Sequence, residues 1–418
     1  MELTENAPAV SVELTPAAAA KIAEASSYWR KALKLREEPL RMTASGIGKY
    51  LLEARGVAGF IRIDGLNLEI APKFLNRTSC GPGWRSSMWR FLAYGHGVEA
   101  LSDASGHGAK DEGIADVLAD VFLTSLRGAS ARGYPLGYSQ KRMNSSFLRG
   151  RLDPKKLDKL LPATGRLDII AAQLTTDIPT NRLLKWAGHQ LASAVEDSGR
   201  RQRLLAWSGE LPGVQQVLPR SQSTPEPRRH HPYLVHAVEI AKLLQDDRTA
   251  GYQPGELTIP GFLWDAENLF ERAVQRLFRE SCRQLGLAVV KERIELARTF
   301  DGARESSTYT TPDVTVRRGE EVVLHVDAKY KVLSEHPINE DVYQVLAAGR
   351  ASEIQTVALV YPTQGTEVKT KCYEPSGRGR PGNVFTVNVG LEAFSRRSGV
   401  RLLRERLRDT VNHWLPQP

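Results

Sequence analysis

At 418 residues the chain is long enough to bury two or three hydrophobic cores. Its 57 Lys and Arg against 48 Asp and Glu give a net charge of +9, a balance that suits a polyanionic partner. Three isolated cysteines, Cys80, Cys282 and Cys372, argue against a disulfide scaffold or a cysteine zinc site, and no apolar run is long enough to span a bilayer.

The N-terminus, MELTENAPAVSVELTP, lacks a basic stretch followed by an apolar one, so no signal peptide and a reducing, cytoplasmic location are expected, with no membrane partner. Residues 16–54 read as helical pieces, PAAAAKIAEASSYWRKAL being the clearest. From Phe60 to Phe74 apolar and polar residues alternate (Ile61, Ile63, then Leu66, Leu68, Ile70), with Asp64-Gly65 as the turn of a hairpin. Helical periodicity returns in Trp84–Tyr94 and Ile114–Leu126. Between Gly128 and Arg151 basic residues interleave with Tyr134, Tyr138 and Phe147, a pattern that suits nucleic acid or a solvated strand surface. Thr180–Val195 has the stripe of an amphipathic helix.

PRSQSTPEPRRHHP, Pro219–Pro232, cannot form a helix or a central strand. It divides the chain into an N-terminal mixed α+β domain (1–222), a linker or loop (223–232) and a C-terminal α/β domain (233–418). In the second domain Leu234–Leu244 reads as a helix, as does Phe262–Glu280, with Glu267 and Glu271 bordering its apolar stripe. A strand at Ala288–Ile294, a hairpin at Pro312–Val332, a helix at about Asn339–Ala348 and a buried strand at Thr356–Tyr361 complete the order αβββαβ.

The hairpin carries the chemistry. Strand parity places Val322, Leu324, Val326 and Ala328 on one face and His325, Asp327 and Lys329 on the other, where Asp313 of the preceding strand joins them. Two carboxylates and a lysine on one side of a sheet can hold a divalent cation and offset charge on a phosphate. Pro312-Asp313 followed by Asp327-Ala328-Lys329 resembles the PD-(D/E)xK nuclease signature, and the element order resembles that fold's core. In that core a preceding helix supplies a third carboxylate and a following helix often supplies Gln or Tyr. The fold class expected is therefore α/β, mixed α+β overall, with a C-terminal restriction-endonuclease-like domain.

A narrower resemblance rests on GLNLEIAPKF (65–74), LRGRLD (148–153), PTNRLLKWA (179–187), WDAENLFERAV (264–274), DVYQVLA (341–347) and LVYP (359–362). With the nuclease motif, these pieces resemble the McrC family, the nuclease subunits of McrBC modification-dependent restriction systems. The resemblance implies Asp313, Asp327 and Glu271 as ligands of Mg²⁺ (Mn²⁺ substituting), Lys329 as the catalytic lysine and Gln344 as an auxiliary residue, the three carboxylates surrounding one ion. It implies docking on a McrB-like hexameric AAA+ GTPase through the N-terminal half, and double-stranded DNA carrying modified cytosine as substrate. Ala347-Ala348-Gly349 stand where the family often has a tyrosine after its glutamine. DNA contacts are expected at Lys331, Tyr343, Arg396, Arg397 and Arg401. No G-x-x-x-x-G-K-[ST] loop is present, so a motor must come from a partner. Two other readings are a non-catalytic adaptor of the motor and a RecB- or Cas4-like exonuclease. The latter often needs four iron–sulfur cysteines, and this chain has three.

Overall fold

The computed structural model describes residues 1–63, 66–75, 84–98, 113–152, 166–215, 231–246, 261–301, 304–374 and 382–415. The Asp64-Gly65 turn, most of the proline-rich stretch 219–232 and most of the Gly/Pro-rich stretch 374–383 lie outside them. Among the described residues no helix is long and apolar enough to cross a membrane.

In chain order the N-terminal part contains β1 (Glu2–Thr4), β2 (Val10–Glu13), α1 (Pro16–Ala32), β3 (Leu40–Gly46), β4 (Lys49–Ala54), β5 (Val57–Ile63), β6 (Leu66–Ala71) and α2 (Trp84–His96). Helix α1 starts where Thr15 accepts a hydrogen bond from the Ala18 amide, with Pro16 in the first turn. The helical reading of residues 16–54 is thus correct only for its first half. Residues 40–54 form the hairpin β3–β4, whose buried Leu40, Leu52 and Ala54 pack beneath Trp29 of α1. Its remaining side chains are mostly exposed, a one-sided sheet pattern that a short helix imitates.

The expected alternation from Phe60 is the antiparallel pair β5–β6, in register Ile63 to Leu66. Beside β5 lies β10 (Gly261–Asp265), paired Phe262 to Phe60 and Leu263 to Gly59. The helix expected from Phe262 therefore begins later, as α7 (Ala266–Arg283). Phe262, Leu263 and Trp264 are buried in strand geometry, and the Asp265 carboxylate accepts from the Glu267 and Asn268 amides at 3.0 and 3.1 Å, capping α7.

Close contacts group Met1–Val117 with Asp247–Pro418, and Leu118–Asp246 separately. This differs from the sequential division expected at the proline-rich stretch, because β10 closes the N-terminal sheet. The separate unit holds most of α3 (Ile114–Arg132), the sheet of β7 (Gly137–Ser145), β8 (Arg151–Leu152) and β9 (Leu167–Thr175), then α4 (Pro179–Ala194), α5 (Ser198–Gly209) and α6 (Val235–Asp246). The stripe on α4 is buried as its periodicity predicts: Leu183, Leu184, Ala187 and Leu191. The basic, aromatic β7 is almost wholly exposed.

After α7 come β11 (Ala288–Val290), β12 (Ile294–Asp301), β13 (Arg304–Thr310), β14 (Val314–Arg318), β15 (Glu321–Ala328), α8 (Asn339–Ala351), β16 (Thr356–Thr363), β17 (Val368–Tyr373), β18 (Asn383–Gly390) and α9 (Arg397–Trp414). Six of the strands form one sheet, in the order β11-β14-β15-β16-β18-β17. Strands β15, β16 and β18 run parallel, and β16 between the other two is buried along almost its whole length, which explains its continuous apolar run. Between β14 and β15 the turn residue Gly319 has φ +60°, a conformation glycine adopts without strain.

Candidate active site

The β14–β15 register pairs Val314 with Val326 and Thr315 with His325, so its continuation sets Asp313 opposite Asp327. Both are nearly buried. Asp313 is fixed by its neighbours: Oδ2 accepts from the Ala328 amide at 2.9 Å, and Oδ1 accepts from Lys291 Nζ at 3.3 Å. Lys329 ion-pairs with Asp327 Oδ2 at 2.5 Å and donates to Gln344 Oε1 of α8 at 2.9 Å. Asp327 Oδ2 makes no hydrogen bond of acceptable geometry, so this buried oxygen is held by charge alone.

Helix α7 brings Glu271 to the same place, its Oε2 at 3.8 Å from Lys291 Nζ. Burial first, and then the Asp313 charge, raise its carboxyl to about 7, with Lys291 pulling the other way. Asp327 is also raised: burial outweighs the pairing with Lys329, and Asp313 adds repulsion. Lys329 is shifted up despite burial, because the Asp327 carboxylate stabilises its charge. The five residues expected as catalytic, Asp313, Asp327, Lys329, Glu271 and Gln344, therefore form one chain of contacts.

Asp313 lies beside both other acids and helps to raise the pKa of each. Among the described residues no three His, Cys, Asp or Glu side chains stand together as a metal-holding set. Lys291 and Lys329 occupy the carboxylates instead. The donor chemistry suits a hard divalent cation: all the candidate ligands are carboxylate oxygens, Asp327 Oδ2 is buried with only the Lys329 ammonium beside it, and the Asp313 charge disfavours the ionised form of both other acids.

Two residues at this site are not among the expected site residues. Lys291 bridges two carboxylates from the end of β11 and belongs to no motif. Asp341, buried in the first turn of α8, accepts from Lys331 Nζ at 2.9 Å and from the Tyr361 hydroxyl at 3.0 Å. Lys331 is thus held in an ion pair beside the site. His325, on the Asp327 face, is fully buried, with Thr315 at 3.1 Å and Ser352 at 2.8 Å from its ring nitrogens, and burial lowers it to about 4. It serves the packing of α8 on the sheet.

Of the other expected DNA contacts, Tyr343 is exposed. Arg396 and Arg397 line a cavity at the start of α9, and Arg401 lies outside that lining, near Glu405 at 3.8 Å.

The family model described as McrBC 5-methylcytosine restriction system component matches residues 52–362, well over half of the chain. The chain belongs to this McrBC family. A comparison with curated protein sequences finds no match. Among solved structures, one described as a refined half-complex from a tetradecameric assembly of Thermococcus gammatolerans McrB AAA+ hexamers with bound McrC is similar in fold. It is 19% identical with a TM-score of 0.60, covering 98% of this chain and 99% of that one. A cryo-EM structure of the Thermococcus gammatolerans McrBC complex matches at 20% identity and a TM-score of 0.45, over 67% of this chain and 87% of that one. The McrBC family match spans the β5–β6 hairpin and the β14–β16 region up to residue 362.

Proposed function

We propose that the chain is the nuclease subunit of its restriction system: a Mg²⁺-dependent DNA endonuclease that docks on a McrB-like AAA+ GTPase, stimulates it and cuts DNA carrying modified cytosine. The observation that carries this reading is the buried juxtaposition of Asp313, Asp327, Glu271 and Lys329 at the open end of the β14–β15 hairpin. The McrB hexamers in the similar structure, and the modified base in the family description, support the partner and the substrate. The N-terminal strands and the unit Leu118–Asp246 are the proposed docking half.

Asp313, Asp327 and Glu271 would hold the ion, and Mg²⁺ when bound supplies positive charge to activate water and polarise the scissile phosphate. The remaining work falls to the chain's own groups. Gln344 and Asp327 fix the Lys329 ammonium from two sides, so that it meets the phosphate without reorganising. The Ala328 amide orients Asp313. Lys291 neutralises the acids while no cation is present.

The test is cleavage of cytosine-methylated plasmid by the chain with its McrB-type partner, GTP and Mg²⁺. Asp327→Asn should reduce cutting below detection, and Lys329→Ala should reduce it by about 10²–10³-fold, as for loss of one charge-stabilising donor. Both variants should still stimulate GTP hydrolysis. Wild-type cutting by Asp327→Asn would place the site elsewhere. The pairing of the acids by two lysines favours a second reading, a non-catalytic adaptor whose charge cluster is structural. In that case neither wild type nor variant cuts, while both stimulate the motor.

A further inference from the structure

Helix α7 has a second, basic face. Away from its core stripe it carries Arg272, Arg276, Arg279 and Arg283. The spacing i, i+4, i+7, i+11 keeps them on one side of the helix, and a rise of about 1.5 Å per residue spreads them over roughly 16 Å. The four line a cavity of about 480 Å³ whose other wall is the end of α2, with Gly95, His96 and Gly97. Arg276 and Glu280 also line the 230 Å³ cavity at the start of α9, to which Arg396, Arg397 and Arg404 contribute. Eight arginines and a single carboxylate line the two spaces.

That carboxylate is already engaged. Glu280 accepts from Arg276 Nε at 2.8 Å and from the Tyr94 hydroxyl at 2.8 Å, with Arg404 at 3.3 Å. Arg276 also lies over the Tyr94 ring, 4.7 Å from its centroid. Arg272 is anchored by the neutral His96 ring at 3.0 Å, and its charge also acts on Asp265, the cap of α7. Arg279 and Arg283 are exposed and have no acidic partner among the described residues. The groove thus holds Arg272, Arg276 and Arg404 steady and leaves Arg279 and Arg283 open to solvent.

We propose that this α2–α7–α9 groove binds the sugar-phosphate backbone of DNA and carries the duplex away from the candidate active site. The inference rests on the nuclease reading. The regular spacing of the row favours a phosphate track over an acidic protein surface. Phosphates recur every ~3.4 Å of axis on each strand, so a straight row of four guanidinium groups meets several. The row also starts next to Glu271, on the same helix, so a duplex at the site would continue along it.

The experiment is anisotropy of a labelled 30-base-pair duplex titrated with the full chain in EDTA, across a salt series. Arg279→Ala/Arg283→Ala should lower affinity about tenfold or more and reduce the slope of log affinity against log salt by about two. Lys31→Ala/Arg36→Ala, which removes two exposed cations at the end of α1, should change neither. Circular dichroism checks that the variants fold, and Arg279→Lys/Arg283→Lys should retain most of the salt slope if any alanine variant does not. Unchanged affinity and slope in the alanine variant, or no duplex binding by wild type at low salt, overturns the proposal. So does intact DNA binding with lost binding of a McrB-type partner, which would make the groove a protein contact. Because binding is read without metal, a wild type that binds through the groove yet never cuts would sink the nuclease reading and leave the groove standing.

Discussion

Burial and the Asp313 charge raise Glu271 to about 7, so near neutral pH it carries a proton for much of the time. A metal ligand must lose that proton, which links Mg²⁺ binding to pH. Affinity for Mg²⁺, measured by calorimetry on chelator-stripped protein, should rise between pH 6 and pH 8, and Glu271→Gln should flatten that rise. A flat profile in wild type would remove Glu271 from the ligand set. His325 acts on stability with the opposite sign to Glu271. Glu271 holds its proton in the folded state from about pH 4.5 to 7 while the unfolded chain has lost it, so its contribution falls as pH rises through that window. His325, lowered to about 4, stays neutral in the folded state while the unfolded chain binds a proton near 6.5, so its contribution is lost as pH falls from 6.5 towards 4. Urea unfolding of His325→Gln should therefore lose less stability from pH 6.5 to pH 5 than wild type does. The difference should be on the order of 1 kcal/mol, since one pKa unit corresponds to about 1.4 kcal/mol.

At the scale of elements, the β5–β10 pair is the most exacting contact. Gly59 sits at φ +136°, and a Cβ there would stand 2.0 Å from the Phe262 carbonyl oxygen, a backbone atom that cannot swing aside. Gly59→Ala should cost more than about 2 kcal/mol, read as a lowered denaturant midpoint, because it combines strain with a backbone clash. Asp265→Ala, which removes only the cap of α7, should cost about 1 kcal/mol. Two elements show where the sequence was legible and where it was not. The β14–β15 hairpin declared itself through parity, because Val326 and Asp327 must point to opposite faces, and Gly319 marked its turn. Strand β10 did not. Phe262-Leu263-Trp264 is an apolar run of three that joins an amphipathic helix without a break, and only its pairing with β5, some 200 residues away, makes it a strand. Lys291 was hidden for a related reason: a lone lysine after a short strand has no period, and its role comes from which two acids the fold sets around it.

For the whole molecule, the long-range pairing of β10 decides what can fold alone. Cutting the chain at the proline-rich stretch would leave 233–418 with the candidate site intact in sequence. It would also leave β10 without β5, and Leu263 without Leu3, Ile61, Leu68 and Ile70, among which it is buried. The site itself depends on the removed part. Tyr330, next to Lys329, donates to the buried Glu5 carboxylate at 2.8 Å, and Lys73 donates to the Tyr330 carbonyl at 3.1 Å. Burial raises Glu5, and its proximity to Lys73 and Tyr330 offsets part of that, so losing either side of this contact strands a polar group in the core. The fragment 233–418 should therefore bind a hydrophobic dye, melt without a cooperative transition and fail to cut DNA. Co-expression with residues 1–117 should restore a cooperative melt, since these two segments make up one compact unit. A fragment 233–418 that melts cooperatively by itself near the full-length temperature would show that the N-terminal strands are dispensable to the nuclease fold. The first half would then act on the site only through its partner.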